Sequence, residues 1–255
     1  MSENLQVRDS RRDKAYFDKW IHFLQKAVYE TRKDIDSIPI QHRILSRLSR
    51  IHSYILTKCI MKYGRGDPVS SFTDELKELV QIRKLFNEKF TCLTELGEQT
   101  KKMYSKLTLY IYYDFFCWLV FLYCSGGKKS DFLEVLDLFG HKGEDALLDH
   151  VAVLLGDTNR SIASNNTLVY GKIYKPLLDV ILASENDRPA LMKKFVEGWY
   201  RSMKPAAWHG NDKSYEGVYY GYWCFEAALV VNLLNIDDSS FKDNVYYPKD
   251  MIIKR

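Results

Sequence analysis

Two carboxylates stand where a carboxylate is costly. Asp114 lies at the centre of Leu107–Cys124, the most apolar stretch of the chain. Glu226 lies within Tyr-Tyr-Gly-Tyr-Trp-Cys-Phe-Glu-Ala-Ala, residues 219–228. With Tyr219 at zero on a helical wheel, Tyr222, Trp223, Val230, Leu233 and Leu234 fall within about 60°, and Glu226 lands among them. Asp114 likewise shares a face with Leu107, Tyr110, Cys117, Trp118 and Phe121. Buried acids must be paired, hydrogen-bonded or protonated. If the two helices cross nearby, Asp114 and Glu226 form a general acid and base. The commoner outcome for such residues is a hydrogen-bond network that anchors helices to each other.

Other chemistry is less well formed. His141, Glu144, Asp145, Asp149 and His150 include an i, i+4 acidic pair and are the best metal candidates. A solvated helix with an acidic N-terminus accounts for them equally through the macrodipole, so no metal or other cofactor is expected. His209 beside Trp208 reads as a structural or exposed loop residue. A phosphate loop, a dinucleotide fingerprint, G-x-S-x-G, H-E-x-x-H and the Glu-x-x-His of di-iron bundles are all missing.

The elements that position these residues are helical. Thirteen glycines and six prolines in 255 residues are few for an all-β or disordered chain. Hydrophobic periodicity predicts nine helices, at about 10–36, 41–63, 72–89, 107–124, 130–139, 143–155, 170–184, 189–203 and 216–235. Ser37-Ile38-Pro39 and Gly64-Arg65-Gly66-Asp67-Pro68 end the first two. Residues 156–167, rich in Asn, Ser and Thr, form a loop, and the tail from Ile236 is irregular. The expected fold is an all-α bundle of two packed halves, joined near Ser125-Gly126-Gly127-Lys128-Lys129. Residues 107–124 approach the length of a membrane span, but Asp114 at its centre argues for a core helix.

Charge is uneven: +7 over residues 1–65 (14 Lys/Arg against 7 Asp/Glu) and −3 over 129–255 (15 against 18). The arginines at 8, 11, 12, 43, 47 and 50 fit no nucleic-acid motif, and charges coating outer helix faces account for them. Cys59, Cys92, Cys117, Cys124 and Cys224 form no C-x-x-C pair and read as reduced packing residues. Met1–Lys14 is polar and charged, unlike a signal peptide, which makes a cytoplasmic location the expectation.

An ordered signature runs through the C-terminal half: Trp199-Tyr200, Trp208, Tyr220-Gly221-Tyr222-Trp223-Cys224-Phe225-Glu226-Ala227-Ala228, Asp237-Asp238-Ser239-Ser240 and Tyr246-Tyr247-Pro248-Lys249-Asp250. It resembles the C-terminal domain of the immunity proteins (PoNi) of polymorphic nuclease effectors (PoNe). Arg12-Asp13-Lys14-Ala15-Tyr16-Phe17-Asp18 and Lys62-Tyr63-Gly64-Arg65-Gly66 are similar to that family's N-terminal domain, which usually has serine where Gly64 stands. The resemblance implies an N-terminal domain over 1–125 and a C-terminal domain over 126–255. It also implies a non-enzymatic antidote that binds a cognate DNase toxin delivered by a bacterial secretion system, the type VI system being the expected one. On this view Trp208, Gly221, Tyr222, Trp223, Glu226, Tyr247 and Pro248 define the fold. A nuclease cleft must attract DNA and is expected to be basic. Acidic residues would suit it, so the expected toxin-facing surface draws on Glu144, Asp145, Asp149, Asp157, Glu185, Asp187, Asp212, Asp237 and Asp238.

Overall fold

The structure, a computed structural model, describes residues 6–33, 35, 41–93, 96–213 and 218–253. Among these residues there are ten α-helices and no strand, as the periodicity predicts for the all-α class. They are α1 (Lys14–Lys33), α2 (Gln41–Arg65), α3 (Thr73–Cys92), α4 (Glu98–Ser105), α5 (Leu109–Cys124), α6 (Lys129–Phe139), α7 (Ala146–Leu154), α8 (Gly171–Leu182), α9 (Arg188–Ser202) and α10 (Phe225–Leu234). The predicted stop at Ser37–Pro39 lies outside the described residues. No single helix among them is long and apolar enough to cross a membrane.

Two compact units emerge. The first holds α1–α4 together with Val218–Gly221, and the second holds the rest from Leu107 onward. The Ser125–Lys129 junction therefore falls inside the second unit, between α5 and α6.

In the first unit α2 packs against both α1 and α3. Asp13 accepts a hydrogen bond from the Tyr16 N–H (2.8 Å), and α1 starts at Lys14 rather than at about residue 10. The stripe Ile44, Leu48, Ile51, Ile55 and Cys59 is buried on α2, and Leu76, Leu79, Ile82 and Phe86 are buried on α3. Glu75 of α3 accepts from Lys62 (2.9 Å) and pairs with Lys58 (3.2 Å), which ties α3 to α2. Helix α4 escapes sequence reading because none of its residues is buried, so it has no apolar stripe to detect.

The second unit is built on α5, with Tyr112, Tyr113 and Phe115–Phe121 all buried, and α10 packs along it. Helix α7 starts at Ala146 rather than 143, because Gly143 has φ 78° and extended Asp145 caps the helix by accepting from Leu148 N–H (3.1 Å). Pro176 lies inside α8, one turn from its start, and Pro189 occupies the first turn of α9. All five cysteines are free, but Cys92 is exposed, a correction to the packing role expected of it at the last turn of α3.

The largest correction concerns residues 216–235. Residues 216 and 217 lie outside the described residues; among the described ones, Phe225–Leu234 is helical and Tyr219–Cys224 is not. Gly221 adopts φ 110°, outside helical geometry. The Tyr219 N–H donates to the Tyr16 hydroxyl (2.8 Å), which in turn donates to the Tyr219 carbonyl (3.0 Å), so neither group joins a helical ladder. The wheel drawn from Tyr219 placed Glu226 correctly in the core, but through α10 alone.

Candidate functional site

Glu226 sits in the first turn of α10 and is fully buried. Its Oε1 accepts from the Tyr174 hydroxyl of α8 (2.8 Å) and from the Trp199 indole N–H of α9 (3.3 Å). Its Oε2 is buried without a hydrogen-bond partner. Burial pushes the carboxyl up to about 7, against the opposing pull of a backbone N–H, Tyr174 and Trp199. The Tyr174 ring stacks on Tyr112 (4.6 Å between centroids), whose hydroxyl donates to Asp145 (3.0 Å). Three hydrogen bonds and one ring stack thus connect α5, the N-cap of α7, α8, α9 and α10.

Asp114 is half-buried, and its carboxyl is also pushed well above the usual range by desolvation, with Tyr110 as its hydrogen-bond partner. Both acids bear on the Cys117 thiol, which burial and then these two carboxyls raise. Their hydrogen-bond partners are nonetheless different, and Glu226 has no exposed surface at which a substrate could meet it. The geometry is that of a helix-anchoring network.

The signature residues Trp208, Gly221, Tyr222, Trp223, Glu226, Tyr247 and Pro248 are all buried. Trp208 packs among Tyr113 (5.5 Å), Tyr222 (5.6 Å) and Trp199 (5.7 Å). The Tyr113 hydroxyl donates to the Trp223 carbonyl (2.8 Å), and Cys224 N–H donates to the Tyr246 carbonyl (2.8 Å). Tyr247 meets Phe241 edge-on (5.1 Å). His209 stacks on Tyr200 (4.2 Å), in keeping with a structural reading.

The acidic set divides. Asp145 and Asp149 are fully buried, which corrects their assignment to an exposed toxin-facing surface. Asp145 Oδ1 accepts from Leu148 N–H and Tyr112 OH, and Oδ2 accepts from Val169 N–H (2.9 Å). Asp149 Oδ1 accepts from Arg160 Nε (2.5 Å) and Gly143 N–H (3.2 Å), and Oδ2 from Ala163 N–H (3.0 Å). Glu144, Glu185, Asp187 and Asp237 are exposed, while Asp157, Asp212 and Asp238 are half-buried. Some of these are already engaged locally. Asp212 accepts from Tyr222 OH (2.8 Å), Asp187 from Ser184 Oγ (2.6 Å), and Asp237 is held below the usual range by the Ser239 N–H. His141 contacts Glu144 (2.7 Å) and His150 contacts Asn165 (3.4 Å). Among the described residues, no group of three or more His, Cys, Asp or Glu is placed to hold a metal ion.

A second knot, in the first unit, has no sequence signal. Asp9 is buried, accepts from Arg11 N–H (3.1 Å) and from the Tyr219 hydroxyl, and pairs with Arg11 Nη1 (3.3 Å). Burial and then Asp9 push the Tyr219 hydroxyl up, and Arg12 lies over its ring (5.3 Å). Val218 and Tyr220 pack against Phe17, Leu24 and Met61. The two N-terminal signature pieces also converge. Arg65 donates to Asp18 (2.7 Å), and Gly64 accepts from Arg8 N–H (3.0 Å) and Asp9 N–H (3.1 Å). A Cβ at Gly64 would fall 3.0 Å from the Phe17 ring, so glycine is what lets that ring approach.

Fold and site together define an all-α protein whose buried acids hold helices and loops in place. Residues 143–251 match the family model described as PoNe immunity proteins (PoNi), C-terminal, so this region is similar to that family. The match spans the whole C-terminal signature, from Trp199 to Asp250. Comparison with curated proteins and with solved structures gave no match.

Proposed function

We propose that this protein is an immunity protein that binds and neutralises a cognate bacterial DNase toxin carried by a secretion-system effector. It acts by binding rather than by catalysis, in the cytoplasm of the producing cell. The match of residues 143–251 to the PoNi C-terminal model carries this reading. Its support from the molecule is that Glu226, the residue best suited to chemistry, is enclosed by Tyr174 and Trp199. We extend the family reading to the N-terminal half, as an N-terminal-like domain over 1–125, because the motif pieces at 12–18 and 62–66 meet in one place. The acidic residues that reach solvent, Glu144, Asp157, Glu185, Asp187, Asp212, Asp237 and Asp238, would speed approach to a basic nuclease cleft.

The experiment is co-expression. The C-terminal domain of the protein encoded immediately beside this gene, whatever its sequence, is produced in a bacterium with and without the full chain, while DNA integrity and survival are followed. Rescue together with a co-purifying complex supports the antidote. Intact DNA without the chain, or degradation despite it, refutes the pairing.

A further inference from the structure

Between the end of α7 at Leu154 and the start of α8 at Gly171, the chain runs through residues 155–170 without helix or strand. Coil segments longer than about 12–15 residues are uncommon in compact domains, and they are usually either functional or disordered. This one is tied down from beneath. Asp149, with no exposed surface, holds Arg160 Nε and Ala163 N–H on its two oxygens, and Asp145 holds Val169 N–H. Thr167 accepts from Ala146 N–H (2.8 Å) and donates its own N–H to Ser164 (2.7 Å). Arg160 itself is 8% exposed. A buried aspartate–arginine pair is poor value for stability, since desolvation consumes much of its attraction. What Asp149 achieves here is to hold the Arg160 side chain and the Ala163 backbone in place.

The outer face of this fixed loop is different in kind. Ser161, Ile162, Asn166 and Val169 are exposed, with Ile162 at 44% and Val169 at 45%. Residues 161–169 (Ser-Ile-Ala-Ser-Asn-Asn-Thr-Leu-Val) contain no charged side chain. Such a surface cannot neutralise phosphates, so neither nucleic acid nor an anionic membrane suits it. Two aliphatic anchors flanking amides and hydroxyls suit a protein surface. A loop already fixed before contact avoids the ordering cost that weakens flexible binders.

We propose that residues 161–169 form the surface by which this protein grips its protein partner, with the Asp149–Arg160 pair and Asp145 preforming the loop. The proposal rests on the immunity reading, which makes that partner the nuclease domain.

The test uses the full chain and the nuclease domain from which it protects cells, made catalytically inactive for titration. Replacing Ile162→Ser and Val169→Ser together should raise Kd at least about tenfold, as expected for central anchors, and leave the melting temperature unchanged. Asn166→Arg, which puts a bulky charge at another exposed position of the loop, should act likewise. Phe23→Ser with Tyr29→Ser, two other exposed apolar positions on α1, should leave Kd unchanged. Asp149→Asn should speed hydrogen exchange at Ala163 and slow association. If the wild-type chain binds but the Ile162/Val169 and Asn166 variants bind within twofold of it, the loop assignment is overturned and the immunity reading stands. If the wild-type chain neither binds nor protects, both fall.

Discussion

Replacing Glu226 with glutamine separates the charge of this residue from its shape. The folded carboxyl titrates at about 7, against 4.5 when free of the fold, and burial is the main cause. That displacement is about 3 kcal/mol of preference for the protonated form in the folded state. The folded pKa lies above the unfolded one, so this stability is fully present below about pH 4.5. It is lost progressively as the pH rises from about 4.5 through 7, because the unfolded chain ionises over that range while the carboxyl held among Tyr174, Trp199 and the apolar face of α5 stays protonated. Glutamine keeps an acceptor for Tyr174 and Trp199 but cannot ionise. Urea unfolding of both chains, followed by tryptophan fluorescence in half-unit pH steps, should show the wild type losing about 3 kcal/mol relative to Glu226→Gln between pH 4.5 and 8. Titrations elsewhere are common to both chains and cancel in the difference. Parallel stability profiles would refute the argument, since they would mean that Glu226 is equally content charged or neutral in the fold. Glu226→Ala should instead cost about 2–5 kcal/mol at every pH, because it opens a cavity and strands two buried donors.

Three further substitutions address the anchors. Gly64→Ser places a Cβ 3.0 Å from the Phe17 ring and should cost about 1–3 kcal/mol in chemical denaturation, with a smaller cost in a Phe17→Leu background. Tyr16→Phe removes the hydroxyl that serves both the N–H and the carbonyl of Tyr219. It should cost about 1–3 kcal/mol and raise hydrogen exchange at the Tyr219 amide selectively. Asp145→Ala strands Leu148 N–H, Val169 N–H and Tyr112 OH together. A loss of about 3 kcal/mol or more is expected, seen as a lowered urea midpoint with faster exchange across the first turn of α7.

The helices that could be read from sequence are those with an apolar stripe or an all-apolar surface. The buried faces of α2 and α3 were legible from spacing alone, and the core position of α5 followed from composition. Helix α4 was invisible because it buries nothing. Tyr219–Cys224 read as helix because its residue types fit one, whereas the Tyr219 backbone and hydroxyl are bonded to Tyr16 and Asp9, some two hundred positions away. No local pattern encodes a partner at that distance. Asp9 itself stands in a polar stretch, where nothing distinguishes a buried acid from a solvated one.

Asp145 and Asp149 were misplaced for a different reason, and here the signal was present. Their i, i+4 spacing at a helix start suggested a solvated acidic turn, yet Ala146, Leu147, Leu148, Val151 and Ala152 leave α7 apolar on nearly every side. The argument that placed Glu226 in the core, that an acid on an all-apolar helix is a buried acid, applies to them unchanged. Once inside, the two acids must find donors. Besides the N–H groups of Leu148 and Gly143, they take backbone N–H groups from a coil with no ladder of its own, at Ala163 and Val169. Buried charge and exposed loop therefore satisfy each other. The acids that seemed suited to an exposed surface are instead buried, and each holds a backbone N–H of an uncharged loop in place.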